Sequence, residues 1–185
     1  MKLLNSDIHD WRITFVDTGM TSNIGQRLKA VEKHLEGEEI FLANYSDGLT
    51  DMPLPEYIDS FVKKGGIGGF LCVPPTQSFH IVSLSDDFVS GIRHISQAGV
   101  WMNGGYFVFR KDIFNYIRDG EELVEEPFQR LIQKRQLIAH KYNGFWACMD
   151  TFKEKQVLDD LYARGEAPWE VWKSPRKPEA ELIHA

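Results

Sequence analysis

Ile40-Phe41-Leu42-Ala43-Asn44-Tyr45-Ser46-Asp47-Gly48 is a near-continuous apolar run of strand length that closes on a carboxylate and a glycine. Such a run predicts a strand covered on both faces of an α/β sheet, and ligands of these sheets bind at the carboxyl ends of the strands. A second segment ends in the same way: Gly144-Phe145-Trp146-Ala147-Cys148-Met149-Asp150-Thr151. A third, Trp101-Met102-Asn103-Gly104-Gly105, offers bare backbone and an amide just ahead of the apolar Tyr106-Phe107-Val108-Phe109. Together the three carry the groups that hold a divalent metal, a phosphate and a polyhydroxylated ligand. No glycine-rich phosphate loop precedes them in this sequence.

Outward from these segments, helices and strands interleave. Residues 13–16 predict a short strand ending at Asp17-Thr18-Gly19, and Ser22-Asn23 caps a helix that carries Ile24, Leu28, Val31 and Leu35 at helical spacing. Asp51 and the flanking prolines open a second helix, with Asp51 as its cap and Leu54, Tyr57, Ile58 and Phe61 on one face. Gly65-Gly66 ends it, and residues 69–73 form another buried strand. Because the glycine cluster from Gly65 to Gly69 leads from helix to strand, it fits a helix C-cap and not a phosphate loop. Residues 79–95 alternate around an Asp86-Asp87 hairpin turn. Residues 106–109 form a strand that feeds a short helix from Lys111, 125–133 a helix, and 137–142 a strand. Thr151 and Glu154 make a capping box for a helix bearing Val157, Leu158, Leu161 and Tyr162. The predicted class is α/β, with a mixed, mostly parallel central sheet flanked by helices.

The chain of 185 residues is long enough for one core. Residues 1–172 are assigned to one domain and 173–185, rich in Lys, Arg, Pro and Glu, to a polar mobile tail. With 27 acidic and 21 basic residues, a net charge of −6 and no Lys/Arg cluster, the composition speaks against a nucleic-acid partner. A small nucleotide stays open, because Mg²⁺ can neutralise its phosphates. Cys72 and Cys148 are too few for a disulfide framework and lack close partners for zinc, so they are expected as reduced core thiols. No apolar run is long enough for a bilayer and no signal core is present, which predicts a cytoplasmic protein without a membrane partner. The six histidines show no ligand spacing, and His140 alternates within a strand and can face either way.

The carboxylates have competing readings. Asp47 at a strand end can hold Mg²⁺, but Asp-Gly is also a good turn former, and residue type alone favours the turn. For Asp150 the competing role of helix cap is already filled by Thr151 with Glu154, which leaves its carboxylate free. Asn103-Gly104-Gly105 serves equally as a close approach to a sugar or as a bulge entering the next strand.

Taken together, the segments from Trp11 to Trp172 resemble the sugar-1-phosphate nucleotidyltransferases, and within them the glucose-1-phosphate cytidylyltransferases. The matching pieces are Val16-Asp17-Thr18-Gly19, Gly25-Gln26-Arg27-Leu28, Tyr45-Ser46-Asp47-Gly48 with Asp51, Trp101-Met102-Asn103-Gly104-Gly105, Gly144-Phe145-Trp146, Met149-Asp150-Thr151, Lys155 and Gly165-Glu166-Ala167-Pro168-Trp169. The resemblance implies a Rossmann-like fold of the nucleotide-diphospho-sugar transferase type. It implies attack of the phosphate of glucose 1-phosphate on the α-phosphorus of CTP, with pyrophosphate leaving and CDP-glucose formed. It implies Asp47 and Asp150 as catalytic Mg²⁺ ligands, Thr18, Gly25 and Arg27 near the nucleotide, and Asn103 and Gly104 against the sugar.

Two differences accompany the resemblance. The family begins with a strand and a glycine-rich, Arg-containing triphosphate loop that these 185 residues do not include. The expectation is therefore the C-terminal portion of a nucleotidyltransferase domain, N-terminally incomplete and inactive in transfer on its own. The family also carries a Glu-Lys-Pro element before the sugar-binding Asn-Gly-Gly, whereas this chain has Arg93-His94-Ile95-Ser96-Gln97 there and no lysine between Lys64 and Lys111. Arg93 is the candidate replacement cation, with a forked geometry unlike lysine's. The alternative expectation is a non-catalytic module that binds a sugar phosphate or nucleotide sugar. An unpaired sheet edge would favour a homo-oligomer.

Overall fold

A computed structural model of the chain describes residues 11–76 and 78–173. The expected tail therefore lies, from residue 174 onward, outside the described residues. The first regular element is α1 (Ile24–Val31). Its N-cap Asn23 accepts from the Gln26 amide while the Gln26 side chain returns to the Asn23 amide, a complete capping box. Residues 13–16 are not a strand, and Trp11, Ile13 and Phe15 are exposed. A strand exists only through its ladder, and nothing pairs with this segment among the described residues.

The central sheet has the order β1-β6-β3-β7. It comprises β1 (Ile40–Asn44), β3 (Gly68–Val73), β6 (Met102–Arg110) and β7 (Leu137–Lys141). The ribbon strands β2 (Gly48–Thr50) and β8 (Trp146–Cys148) pair with each other, as do β4 (His80–Ser85) and β5 (Phe88–His94). The sheet is mixed, as expected, but the balance lies on the antiparallel side. β6 runs against both β1 and β3, and only β3 and β7 are parallel. Between β3 and β6 the chain makes the β4–β5 hairpin and no crossover helix, so β6 returns antiparallel. The hairpin turns at Asp86-Asp87, with Asp86 at φ 51°, and forms a sheet of its own.

Helices cover both faces. α2 (Leu54–Lys64) ends at Gly65 in the left-handed region, as its sequence predicts. It packs Tyr57 and Phe61 beneath Leu71, Val73 and Val108. On the other face, α3 (Glu126–Gln133) brings Phe128 and Leu131 to Phe41, Phe107 and Phe109. β6 thus feeds both cores, Phe107 and Phe109 to one side and Val108 to the other. Each side chain buried this fully stabilises the fold by about 1.5–3 kcal/mol. The edge strand β1 is less covered than its apolar run suggests: Phe41 is buried but Leu42 is 46% exposed. α4 (Phe152–Ala163) starts from the predicted Thr151–Glu154 box. It rests on the short β8, so it buries Leu158 while Val157 and Tyr162 stay exposed.

The loop before α3 is tied down by charge. Arg130 donates to the Tyr116 carbonyl at 2.6 Å and to Glu121 Oε2 at 2.7 Å, and pairs again with Glu121 Oε1. Glu121 also accepts from the Arg118 amide. These contacts, the Arg130 hydrogen bond first, hold the Glu121 carboxyl down at about 2. α1 docks on the same loop, where a Cβ at Gly25 would stand 2.2 Å from the Glu121 carbonyl oxygen.

β6 is irregular at its start. Its pairing with β3 shifts from Phe70↔Phe107 to Cys72↔Asn103, so Gly104, Gly105 and Tyr106 occupy a bulge. Gly105 has φ +71°, and a Cβ there would lie 2.4 Å from Cδ2 of the Tyr45 ring.

Two expectations follow. Glu121→Gln lowers the melting temperature above pH 5, and because the Glu121 pKa is depressed, its gap from the parent closes as pH falls from 4.5 toward 2. A gap independent of pH would refute the ion-pair assignment. Gly105→Ala destabilises by about 1–3 kcal/mol in denaturant titration, through strain and overpacking together. An unchanged midpoint would mean Tyr45 does not pack there.

Candidate functional site

The β2–β8 ribbon pairs Gly48 with Cys148, Leu49 with Ala147 and Thr50 with Trp146. The Met149 amide continues it by donating to the Asp47 carbonyl at 3.0 Å. Two segments nearly a hundred residues apart in sequence thereby place Asp47 and Asp150 at the same end of one ribbon. Asp47 is half-buried and Asp150 exposed. Among the described residues, the Asp47 carboxylate accepts no hydrogen bond, and that of Asp150 accepts only from the Cys148 thiol at 3.2 Å. Burial, and next the Asp150 carboxylate, push the Cys148 thiol up to about 11, so it stays protonated and donates.

Sγ of Cys148 and one carboxylate oxygen each of Asp150 and Glu154 lie within 4.8 Å of one another. Glu154 is committed to the amide and hydroxyl of Thr151, both at 2.9 Å. Both of those bonds fall on Glu154 Oε2 and the Cys148 thiol falls on Asp150 Oδ2, so each carboxylate keeps one oxygen free of protein donors among the described residues. Hard carboxylate oxygens without protein donors fit Mg²⁺, which takes one or two of them and completes its shell with water and phosphate. A protonated thiol is no ligand for that ion.

The bulge of β6 forms the bed on which the ribbon sits. Trp146 Nε1 donates to the Gly104 carbonyl at 2.8 Å, and the Tyr106 hydroxyl donates to the Gly48 carbonyl at 2.7 Å. The Tyr45 amide donates to the Gly105 carbonyl at 3.0 Å. A Cβ at Gly104 would crowd Trp146 Nε1 at 3.2 Å. Of the two readings of Asn103-Gly104-Gly105 the structure bears out the bulge, which brings bare backbone beside the ribbon. Asn103 is exposed, and its Oδ1 accepts from the Gly105 amide, which leaves its NH₂ group free of protein acceptors among the described residues.

The other expected residues lie apart from this cluster. Arg93 is exposed on β5, opposite Ile81, in the separate hairpin, and forms no ion pair among the described residues. The Thr18 carbonyl accepts from the Ser22 hydroxyl, and Arg27 Nε donates to the Ser22 carbonyl at 2.8 Å. Gly25 is buried where α1 meets the Glu121 backbone, a packing reason for glycine that needs no ligand. With Leu28, Asn44, Tyr45 and Phe107, Arg27 lines a cavity of about 250 Å³ beside the end of β1. Both cysteines are free, as expected, but only Cys72 is a core thiol; Cys148 is half-buried because the short β8 on which it lies stands outside the central sheet and is covered by α4. His140 packs its ring on Tyr57, with centroids 4.8 Å apart.

Asp51 is not a helix cap. Pro53 occupies the N-cap of α2 without a side-chain bond. Asp51 Oδ1 accepts instead from the Tyr142 hydroxyl at 2.5 Å and the Phe145 amide at 2.8 Å. Tyr142, Tyr106 and the Trp146 indole were not singled out from sequence. Aromatic residues at strand ends show no local signal for where a hydroxyl or N–H will point. Among the described residues, no helix is long and apolar enough to cross a membrane.

No family model matches the chain. Over 174 residues it is 31% identical to the glucose-1-phosphate cytidylyltransferase of Salmonella typhi, a match that takes in 93% of this chain and 68% of that protein. It is 27% identical over 164 residues to a probable glucose-1-phosphate cytidylyltransferase of Bacillus subtilis, covering 88% of this chain and 64% of the relative. Among solved structures, a putative glucose-1-phosphate thymidylyltransferase from Bacillus anthracis shares the fold with a TM-score of 0.57 at 14% identity, over 77% of this chain and 62% of that one. The chain thus spans about two thirds of the relatives it matches. With the strand-end aspartates and the bulged Asn-Gly-Gly gathered around one ribbon, and this identity across nearly its whole length, the chain belongs to the glucose-1-phosphate cytidylyltransferase family of sugar-1-phosphate nucleotidyltransferases.

Proposed function

We propose that the protein carrying these residues transfers a cytidylyl group from CTP to glucose 1-phosphate. In that reaction a phosphate oxygen of the sugar phosphate forms a bond to the α-phosphorus of CTP. The bond from that phosphorus to the bridging oxygen breaks, and pyrophosphate leaves. The observation that carries the reading is the convergence of two uncommitted carboxylates, Asp47 and Asp150, at one end of a ribbon bedded on Asn103-Gly104.

Asp47 and Asp150 would hold Mg²⁺, which supplies neutralisation of phosphate charge. The free NH₂ of Asn103 suits a sugar hydroxyl, and Gly104 keeps side-chain bulk away from the same place. Tyr45 and Arg27 border the cavity beside β1 that suits part of the nucleotide. Arg93 would supply a cation for the sugar phosphate if the β4–β5 hairpin comes near it. No group here forms a covalent intermediate, so these residues act by positioning and charge. The substrates are metabolites of the cytoplasm, which is where the reading places the protein.

The test is pyrophosphate release from CTP and glucose 1-phosphate as Mg²⁺ is varied, using the protein that carries this chain. Turnover is expected with Mg²⁺ and not without it. Asp150→Ala and Asp47→Ala should each lower it by about two to three orders of magnitude, the scale on which losing one group that stabilises developing charge registers. Full turnover in either variant would remove that carboxylate from the site.

A further inference from the structure

We infer that Asp51 is a positioning residue which, through Tyr142 and Phe145, holds the β2–β8 ribbon in the register that brings Asp47 and Asp150 together. The inference rests on the metal-binding reading of those two aspartates. The ribbon is only three residue pairs long, too short to hold itself in water. It is fastened to β6 at both ends, by Tyr106 at Gly48 beside Asp47 and by Trp146 opposite Thr50. At the second of these ends it is also fastened by Asp51.

One oxygen, Oδ1 of Asp51, takes both the Tyr142 hydroxyl at 2.5 Å and the Phe145 amide at 2.8 Å. The neighbouring backbone closes the same joint: the Asp51 amide donates to the Phe145 carbonyl at 3.3 Å, and Thr50 Oγ1 donates to that carbonyl at 2.8 Å. Tyr142 is itself anchored to the central sheet, its amide donating to the Cys72 carbonyl at 2.9 Å. Burial, and then the Asp51 carboxylate, hold the Tyr142 hydroxyl protonated and able to donate. Its ring lies so close over the loop that a Cβ at Gly144 would meet the hydroxyl oxygen at 2.2 Å.

The clamp therefore links β3, the β7–β8 loop and the segment after β2 through one carboxylate. Asp47 stands four residues before Asp51 and Asp150 five after Phe145, roughly 13–17 Å along the ribbon. A slip of one residue in β8 would reverse every side chain on it and carry Asp150 away from Asp47. Because it stands at the opposite end of the ribbon from Asp47 and Asp150, Asp51 acts on their placement and not as a ligand beside them.

The test uses Mn²⁺ as the probe on the full 185-residue chain. Mn²⁺ affinity is read by electron paramagnetic resonance, and hydrogen exchange is followed at the Met149 amide, which the Asp47 carbonyl protects. Asp51→Ala should weaken Mn²⁺ about tenfold, the scale of losing an outer partner of a metal ligand. It should also speed Met149 exchange, and Tyr142→Phe should shift both in the same direction. Asp51→Asn keeps an acceptor oxygen and should stay near the parent in both. Asn and Phe preserve volume, so the outcome does not depend on whether the Ala variant folds. Parental affinity and protection in Tyr142→Phe and Asp51→Ala would overturn the clamp. So would an Asp51→Asn variant that loses Mn²⁺ while Met149 stays protected, since Asp51 would then be a ligand. If the parent chain binds no Mn²⁺, the metal reading fails by itself, and Met149 exchange alone decides the clamp.

Discussion

The site depends on the seating of a three-pair ribbon on the strand where β6 loses its regularity. β6 is buried over Phe107, Val108 and Phe109, and its register there is fixed from both sides by aromatic and aliphatic packing. At Gly104 and Gly105 the ladder shifts, and the carbonyls freed by the bulge turn to Trp146 and the Tyr45 amide. A regular strand would have used those groups on its neighbours and left the ribbon without a bed. Rigid core and irregular site are thus consecutive parts of one strand.

Charge and hydrogen bonding sort the acidic residues into different tasks. Glu121 is spent on Arg130, Glu154 on the cap of α4, and Asp51 on Tyr142 and Phe145. Asp47 and Asp150 are the pair at the ribbon end whose oxygens face no strong protein donor among the described residues. The ribbon register sets both residues at its same end, and the protonated Cys148 thiol donates to Asp150 there.

Local chemistry was legible in the sequence, and non-local pairing was not. The Asn23–Gln26 and Thr151–Glu154 boxes, the Gly65 stop and the Asp86-Asp87 turn each involve residues within a few positions of one another, and each forms as expected. The balance of the sheet departed from expectation because strand direction depends on what the intervening chain does, and here a hairpin replaced a crossover helix. Residues 13–16 have strand composition but no partner among the described residues, and Asp51 has cap chemistry but stands two residues before the N-cap. For the site, the two aspartates and the Asn-Gly-Gly were visible as strand-end motifs. Their convergence, and the Tyr142 clamp from 91 residues away, come only from the fold.

The central claim is that Asp47 and Asp150 share one metal ion. It is tested most directly by crystals grown with Mn²⁺ and CDP-glucose, using anomalous diffraction to locate the ion. The account predicts a single strong peak within coordination distance of both carboxylates, with the sugar near Asn103 and Gly104. A peak bound by Glu154 and Cys148 without Asp47, or a ligand seated with no ion between the two aspartates, would contradict it.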